Sequence, residues 1–308
     1  MNHKTIQEVS ELWKRDKKQY VKAPSYSTYV LLLNKHILPV FGQQTEVVES
    51  EVQDFALQKL DEGLSMKTVR ELVLVLKMVV RFGAKLGCWA VPDWNIRYPS
   101  ELPPGGLSVL SKQDHRRLIE AIKDNFTCRN LGIYICLSAG LRIGEVCALQ
   151  WKDLDVVEGV IRVSKTLERI YFPDEDGHRH SRLVIGPPKT INAIREIPMT
   201  RDLYRMVRPM VKLMNPDYFV TSNQPRPIEP KTYRAYYKSF MTELGMPQMK
   251  FHGLRHSFAT RCIESGCDYK TVSVLLGHAN IGTTLNLYVH PTSDQKKKCI
   301  DKVFRGLD

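Results

Sequence analysis

The chain is 308 residues long, with 45 Lys and Arg against 33 Asp and Glu, a formal charge of +12, 43% hydrophobic residues and a pI near 9.3. That apolar fraction excludes a disordered chain, and the length exceeds what one core usually serves, so two domains are expected. No apolar run reaches the ~18 residues of a membrane span, and Met1-Asn2-His3-Lys4 does not read as a signal peptide. The basic excess points to a polyanionic partner, nucleic acid ahead of an anionic membrane. Seven cysteines (Cys88, Cys128, Cys136, Cys147, Cys262, Cys267 and Cys299) contain no Cys-x-x-Cys pair. An odd, irregular set argues against a disulfide framework or zinc ribbon and for a reducing cytosol, with most of the thiols acting as small buried hydrophobes.

The first hundred residues read as helices only, over about 5–19, 25–38, 49–62 and 66–86, separated by loops at Pro24, Gly42 and Gly63. On the last of these, Lys67, Arg70, Lys77, Arg81 and Lys85 share an arc of about 80° at ~100° per residue. Leu72, Leu76, Val79 and Leu86 lie broadly opposite. Such a stripe is either a solvated face or a track for phosphates. The run Pro99-Ser100-Glu101-Leu102-Pro103-Pro104-Gly105-Gly106 then breaks both helix and strand, marking a linker over 99–108 between domains at 1–98 and 109–308. Residues 1–103 hold 14 basic and 12 acidic side chains, and the remainder 31 and 21, so most of the excess lies in the second part.

That second part is mixed. Ser111 and Asp114 form a capping-box pattern opening a helix near 112–124, followed by helical patterning at 127–137 and 142–150. Strands are expected at Val160–Val163, Arg182–Ile185 and Ile194–Ile197, the first two joined by an exposed hairpin tip at residues 173–178. Helices resume near 200–213, 231–243, 254–265, 269–276 and 281–288. A final apolar series, Ile300, Val303, Phe304 and Leu307, has helical spacing within a tail over 292–308.

Four clusters in this part bear chemistry. In Ala139-Gly140-Leu141-Arg142-Ile143-Gly144-Glu145, Arg142 is either the i,i+3 ion-pair partner of Glu145 or a fixed anion receptor. Gly186-Pro187-Pro188-Lys189-Thr190 places a lysine on a rigid turn. In His252-Gly253-Leu254-Arg255-His256, His252 and Arg255 share a helix face. His252 and His256 are also spaced as metal ligands, but position 253 is Gly where a metalloprotease has its general-base Glu, and no third ligand is nearby. Leu275-Leu276-Gly277-His278 ends a helix ten residues before Tyr288.

Taken in order, these clusters resemble the tyrosine recombinase (phage integrase) family, whose signature runs Arg, Lys, His-x-x-Arg, His or Trp, then Tyr. The likeness covers nearly the whole chain and rests on Gly-Leu-Arg-x-Gly-Glu, His-x-x-Arg and Leu-Gly-His-x9-Tyr. It implies a mainly α fold with a small β-sheet (α+β), an all-helical, SAM-like core-binding domain before a catalytic domain. By position, it implies a catalytic set of Arg142, Lys189, His252, Arg255, His278 and the nucleophile Tyr288, with Glu145 in support. Lys165 is the alternative to Lys189, because the hairpin is longer than in compact members. It further implies no metal and no ATP, double-stranded DNA as partner, and a homotetramer on two DNA sites, with a monomer or dimer off DNA. The tail would dock on a neighbouring subunit. Accessory DNA-bending proteins, a cytoplasmic, nucleoid-associated setting and the absence of a membrane role complete the expectation. A type IB topoisomerase, a telomere resolvase and a non-catalytic DNA-binding regulator are the rival readings.

Overall fold

The computed structural model describes residues 4–100, 108–173, 179–288 and 297. Most of the expected linker, the hairpin tip and all but one residue of the expected tail helix lie outside these. Two compact units form, residues 1–105 with 170–182, and residues 106–169 with 183–308.

The first unit is built on α1 (Ile6–Tyr20), α2 (Ala23–Leu32), α3 (Leu38–Phe41), α4 (Glu49–Asp61) and α5 (Met66–Lys85). Thr5 starts α1 with a full capping box: Glu8 N–H donates to its hydroxyl (3.2 Å), while the Glu8 carboxylate accepts the Thr5 N–H (2.8 Å). The expected helix over 25–38 is interrupted by a π-turn at Leu33–Ile37. Pro39, which has no N–H to donate and crowds the carbonyl four residues back, accounts for it. The ladder slips one residue, with Leu38 N–H reaching the Leu33 carbonyl. α5 buries Leu72, Leu76 and Val79 against Trp13, Phe41 and Phe55, the last two in edge-to-face contact at 5.1 Å. Leu86, expected on that face, is exposed just past the helix end.

An extended segment then returns over the unit. Gln53 brackets Arg97, accepting its N–H and donating to its carbonyl, both at 2.9 Å, and Glu49 accepts from Asn95 N–H at 3.0 Å.

The second unit opens with α6 (Lys112–Asp124), where Ser111 caps Asp114 N–H at 3.0 Å as its sequence suggests. α7 (Cys128–Ala139) is buried along almost its whole length and forms the centre of the core with Trp151, Leu254 and Val146. α8 is shorter than expected, Ile143–Ala148, and a 3-10 turn at Trp151–Asp153 follows.

The sheets depart from expectation. β2 (Val160–Val163) does not form a hairpin with the later strand. It lies between β1 (Leu154–Asp155) and β5 (Arg195–Pro198), antiparallel to both, with Ile161 opposite Ile197 and Val163 opposite Arg195. A separate two-stranded ribbon joins β3 (Thr166–Pro173) and β4 (Arg179–Gly186). The unread strand β3 supplies the partner that β4 needed. Five helices follow: α9 (Arg201–Leu213), α10 (Pro230–Glu243), α11 (His252–Glu264), α12 (Tyr269–Leu276) and α13 (Ile281–Tyr288). Cys88, Cys136 and Cys147 are buried, but Cys128 and Cys262 are only half-buried and Cys267 is exposed at a helix-end turn. The expectation of mostly buried thiols therefore holds for three of the six described.

Gly83 lies against the indole of Trp89, whose Nε1–H donates to the Val80 carbonyl (2.6 Å). Gly83→Ala would drive a methyl into that ring and should destabilise the protein by about 1–3 kcal/mol. Urea unfolding should show a lower midpoint at unchanged slope; an unchanged midpoint would mean that the ring has room to retreat.

Candidate active site

Three short segments make the site: the α7–α8 junction, the start of α11 and the end of α12. α7 stops at Gly140, whose φ of +66° closes the helix without a Cβ penalty. Two residues later Arg142 caps α8. Glu145 folds back on it, one oxygen accepting the Arg142 N–H (2.8 Å) and the other the guanidinium (2.7 Å). The ion-pair reading of Arg142 therefore holds. Its side chain is paired yet 38% exposed, while that of Glu145 is 1% exposed, so part of the guanidinium still reaches solvent.

Arg255 is buried, and its donors run to the carbonyls of Gly140 (2.8 Å) and Leu276 (2.7 Å). Burial and the nearby Arg142 charge push its pKa down to about 9, which leaves it a cation at neutral pH. The end of α12 ties these residues together. A helix leaves its last carbonyls without intrahelical partners, and here they are shared out: Leu275 accepts from Arg195 (2.6 Å), Leu276 from Arg255 and Gly277 from Arg142 (3.1 Å). Gly277 has φ +67°, and a Cβ there would stand 2.9 Å from the Asn192 carbonyl. Only glycine fits both demands.

His278 follows directly. Its Nδ1 engages the hydroxyl of buried Thr284 on α13 at 2.8 Å, leaving Nε2 as the remaining ring nitrogen. The His252 ring meets His256 edge-to-face at 4.6 Å. His252 keeps an edge toward solvent, yet burial of the rest of the ring, with His256, Arg255 and Arg142 beside it, pushes its pKa down to about 4. Burial, then Arg255 and Arg142, do the same to His278, also to about 4. Both rings are neutral at pH 7 in the free protein. Among the described residues no three His, Cys, Asp or Glu side chains converge as a metal site.

Lys189 is exposed in the turn after β4, three residues before the Asn192 carbonyl that backs onto Gly277. The alternative, Lys165, donates to Gln150 (2.6 Å) and pairs with Asp153 (3.1 Å). Tyr288 is the last residue of α13; its side chain lies outside what the structure describes. On α5, Lys67, Arg70, Arg81 and Lys85 are exposed, whereas Lys77 is half-buried and bonded to the Trp94 carbonyl (3.0 Å), and Arg70 lies over the Tyr98 ring at 5.2 Å. Part of the stripe thus holds the returning segment rather than standing free.

Sequence reading missed Arg195. It is buried and grips Glu145 with two nitrogens, at 3.0 and 3.2 Å. A signal was present: Arg195 shares the inward face of a four-residue strand with Ile197, and an arginine at an inward position requires a buried acceptor.

Residues 108–295 match the phage integrase family, and residues 5–45 match the N-terminal SAM-like domain of phage integrases. The chain belongs to the phage integrase family. It is 27% identical over 285 residues to a XerC-like tyrosine recombinase of Caldanaerobacter subterraneus, covering 85% of this chain and 72% of the relative. It is 24% identical over 298 residues to the ICEBs1 integrase of Bacillus subtilis, covering 90% and 77%. The fold matches that of the Tn1549 transposon integrase in complex with transposon right end DNA (TM-score 0.72, 22% identity, 97% of this chain and 99% of that one). It also matches a lambda integrase from a tetramer bound to a Holliday junction (TM-score 0.65, 16% identity, 93% and 78%). As an integrase-family member the chain is a DNA strand-breaking and rejoining enzyme, mainly helical with small sheets, whose SAM-like domain precedes the catalytic one. Arg142, Lys189, His252, Arg255, His278 and Tyr288 all fall inside the matched stretch.

Because both site histidines sit below the 6.5 of a free imidazole, the unfolded chain takes up their protons first on acidification. The stability they contribute is whole above about 6.5 and is lost as the pH falls toward about 4. Urea midpoints measured across that range should fall with pH, and His252→Gln or His278→Gln should each flatten the fall. An equal slope in both variants would contradict the depressed values.

Proposed function

We propose that the protein is a site-specific DNA recombinase in which Tyr288 attacks a scissile phosphodiester held by Arg142 and Arg255. The observation that carries this reading is the seating of those two guanidiniums on adjacent carbonyls, Gly277 and Leu276, immediately before His278 and ten residues before Tyr288.

A phenol with a pKa near ~10 is a weak nucleophile at neutral pH until nearby charge favours its anion. Two planar guanidiniums, both cationic at neutral pH, can bond the nonbridging oxygens, where charge accumulates as the phenolic oxygen adds to phosphorus. His252 and His278, neutral in the free enzyme, gain basicity once a phosphate anion offsets the guanidinium charge that depresses them. They can then bond the same oxygens and take the tyrosine proton. Lys189, exposed in the turn after β4, serves as the acid for the departing 5′ oxygen. The tyrosine O–P bond forms as the 5′ O–P bond breaks, giving a 3′-phosphotyrosine that keeps the ester energy for religation. No metal or ATP enters the cycle.

Double-stranded DNA is the substrate. Residues 1–98 form the core-binding domain, 99–108 the linker and 109–308 the catalytic domain. The exposed cations Lys67, Arg81 and Lys85 contact backbone phosphates. Strand exchange passes through a Holliday junction in a homotetramer, with residues 292–308 docking on a neighbouring subunit. The tetrameric lambda integrase on such a junction supports this by fold alone.

A nicked suicide substrate carrying the protein's own recombination site should trap a covalent adduct, insensitive to EDTA, that Tyr288→Phe does not form. Arg142→Ala should bind DNA but cleave about 10²–10³-fold more slowly, the usual loss for a donor to a developing oxyanion. An adduct persisting in Tyr288→Phe, or a strict metal requirement, overturns the mechanism. Removal of residues 292–308 should lower the assembly state on DNA, measured as solution mass; an unchanged mass rules out the docking role.

A further inference from the structure

Within that recombinase reading, the geometry around Glu145 leads to one more residue. We infer that Arg195 is a positioning residue: it clamps the Glu145 carboxylate so that Arg142 is fixed in place while one edge of its guanidinium stays available to a phosphate oxygen.

The argument starts from charge. Glu145 is withdrawn from water, and a buried carboxylate is tolerated only with countercharge and filled hydrogen-bonding positions. The groups facing it are Arg142 at the cap of its own helix, Arg195 on β5, Arg255 and His252 on α11, and Cys136 on α7. Arg255 directs one donor of each terminal nitrogen to a carbonyl rather than to Glu145, and His252 and Cys136 carry no positive charge at neutral pH. Burial pulls the Glu145 carboxyl upward; Arg195 and, behind it, Arg142 more than offset that, so it is held below the usual carboxylate range.

Were Arg142 the only partner, both carboxylate oxygens would turn on it and its charge would be spent. Arg195 takes the load instead. Its two terminal nitrogens reach the two Glu145 oxygens, Nη1 also donates to the Ala193 carbonyl (2.8 Å), and Nε donates to the Leu275 carbonyl (2.6 Å). The three guanidiniums and one carboxylate leave a surplus of two positive charges, matched to a phosphate that gains charge in the transition state. The clamp also sets spacing. Arg195, Arg255 and Arg142 hold the successive carbonyls of residues 275, 276 and 277, so a displaced Arg195 loosens the frame on which both phosphate-binding arginines rest.

The test combines two readouts on the full chain. One is NMR titration of the Glu145 side-chain carboxyl carbon, assigned with Glu145→Gln, in wild type, Arg195→Gln and Arg195→Lys. The other is single-turnover cleavage of the nicked substrate across acidic to neutral pH. In Arg195→Gln the Glu145 midpoint should rise, and the acid limb of the cleavage profile should move upward with it. Cleavage should slow about 10–100-fold while DNA affinity changes less than about threefold, as for loss of a partner that orients a directly bonding group. Arg195→Lys should restore the acid limb, because the charge returns, but only part of the rate, because an ammonium cannot span two carboxylate oxygens and a carbonyl. An unmoved Glu145 midpoint, or slower cleavage with an unchanged pH profile in both variants, overturns the inference, since lost packing alone would give the latter. If wild type forms no adduct, the recombinase reading fails and the Glu145 titration alone decides the clamp. Should Arg195→Gln not fold, the Arg195→Lys comparison carries the test, with an unchanged rate counting against the clamp.

Discussion

A carboxylate taken out of water must be answered by positive charge, and in this molecule the answer to Glu145 organises everything around it. Arg142 alone could neutralise it at the cost of its own availability. Arg195 supplies the second guanidinium, and the pair shares one anion. From that sharing come the fixed cap of α8, the inward arginine on β5 and the join between the sheet and the end of α12. The open carbonyls at a helix end, usually left to water or a capping turn, are here the seats of three arginines.

The glycines at the two turns serve the same end. Gly140 turns the chain so that its carbonyl meets Arg255, and Gly277 lets the Asn192–Ala193 backbone approach to van der Waals distance. The arginines proposed to hold a phosphate are thus seated on backbone carbonyls, which cannot change rotamer. Preorganisation of that kind costs no rearrangement when charge develops in the transition state.

Much of this was legible in the sequence, and what was not has identifiable causes. Helices with a clear apolar stripe or a side-chain cap, such as those starting at Thr5, Ser65 and Ser111, could be placed within a residue or two. The π-turn at Leu33–Ile37 was hidden because it arises from one proline acting on an otherwise continuous helical pattern. Strand pairing was misjudged because adjacency in sequence suggested a hairpin, whereas β2 finds its neighbours on either side of an inserted ribbon. Local motifs marked Arg142, His252, Arg255 and His278. Arg195 carried no motif, and its meaning depends on a carboxylate fifty residues away. The stripe on α5 shows the converse, since angular spacing grouped five cations, but only tertiary packing revealed that Lys77 and Arg70 are used by the segment around Trp94 and Tyr98.

The bond between His278 and Thr284 reaches beyond local order. Thr284 and Tyr288 ride on the same eight-residue helix, so α13 cannot be withdrawn as a body while leaving the imidazole as it stands. In the mechanism proposed above, a protomer that pulls Tyr288 back would disturb the His278 ring in the same motion. The 2.8 Å hydrogen bond therefore couples the setting of the His278 ring to the position of α13.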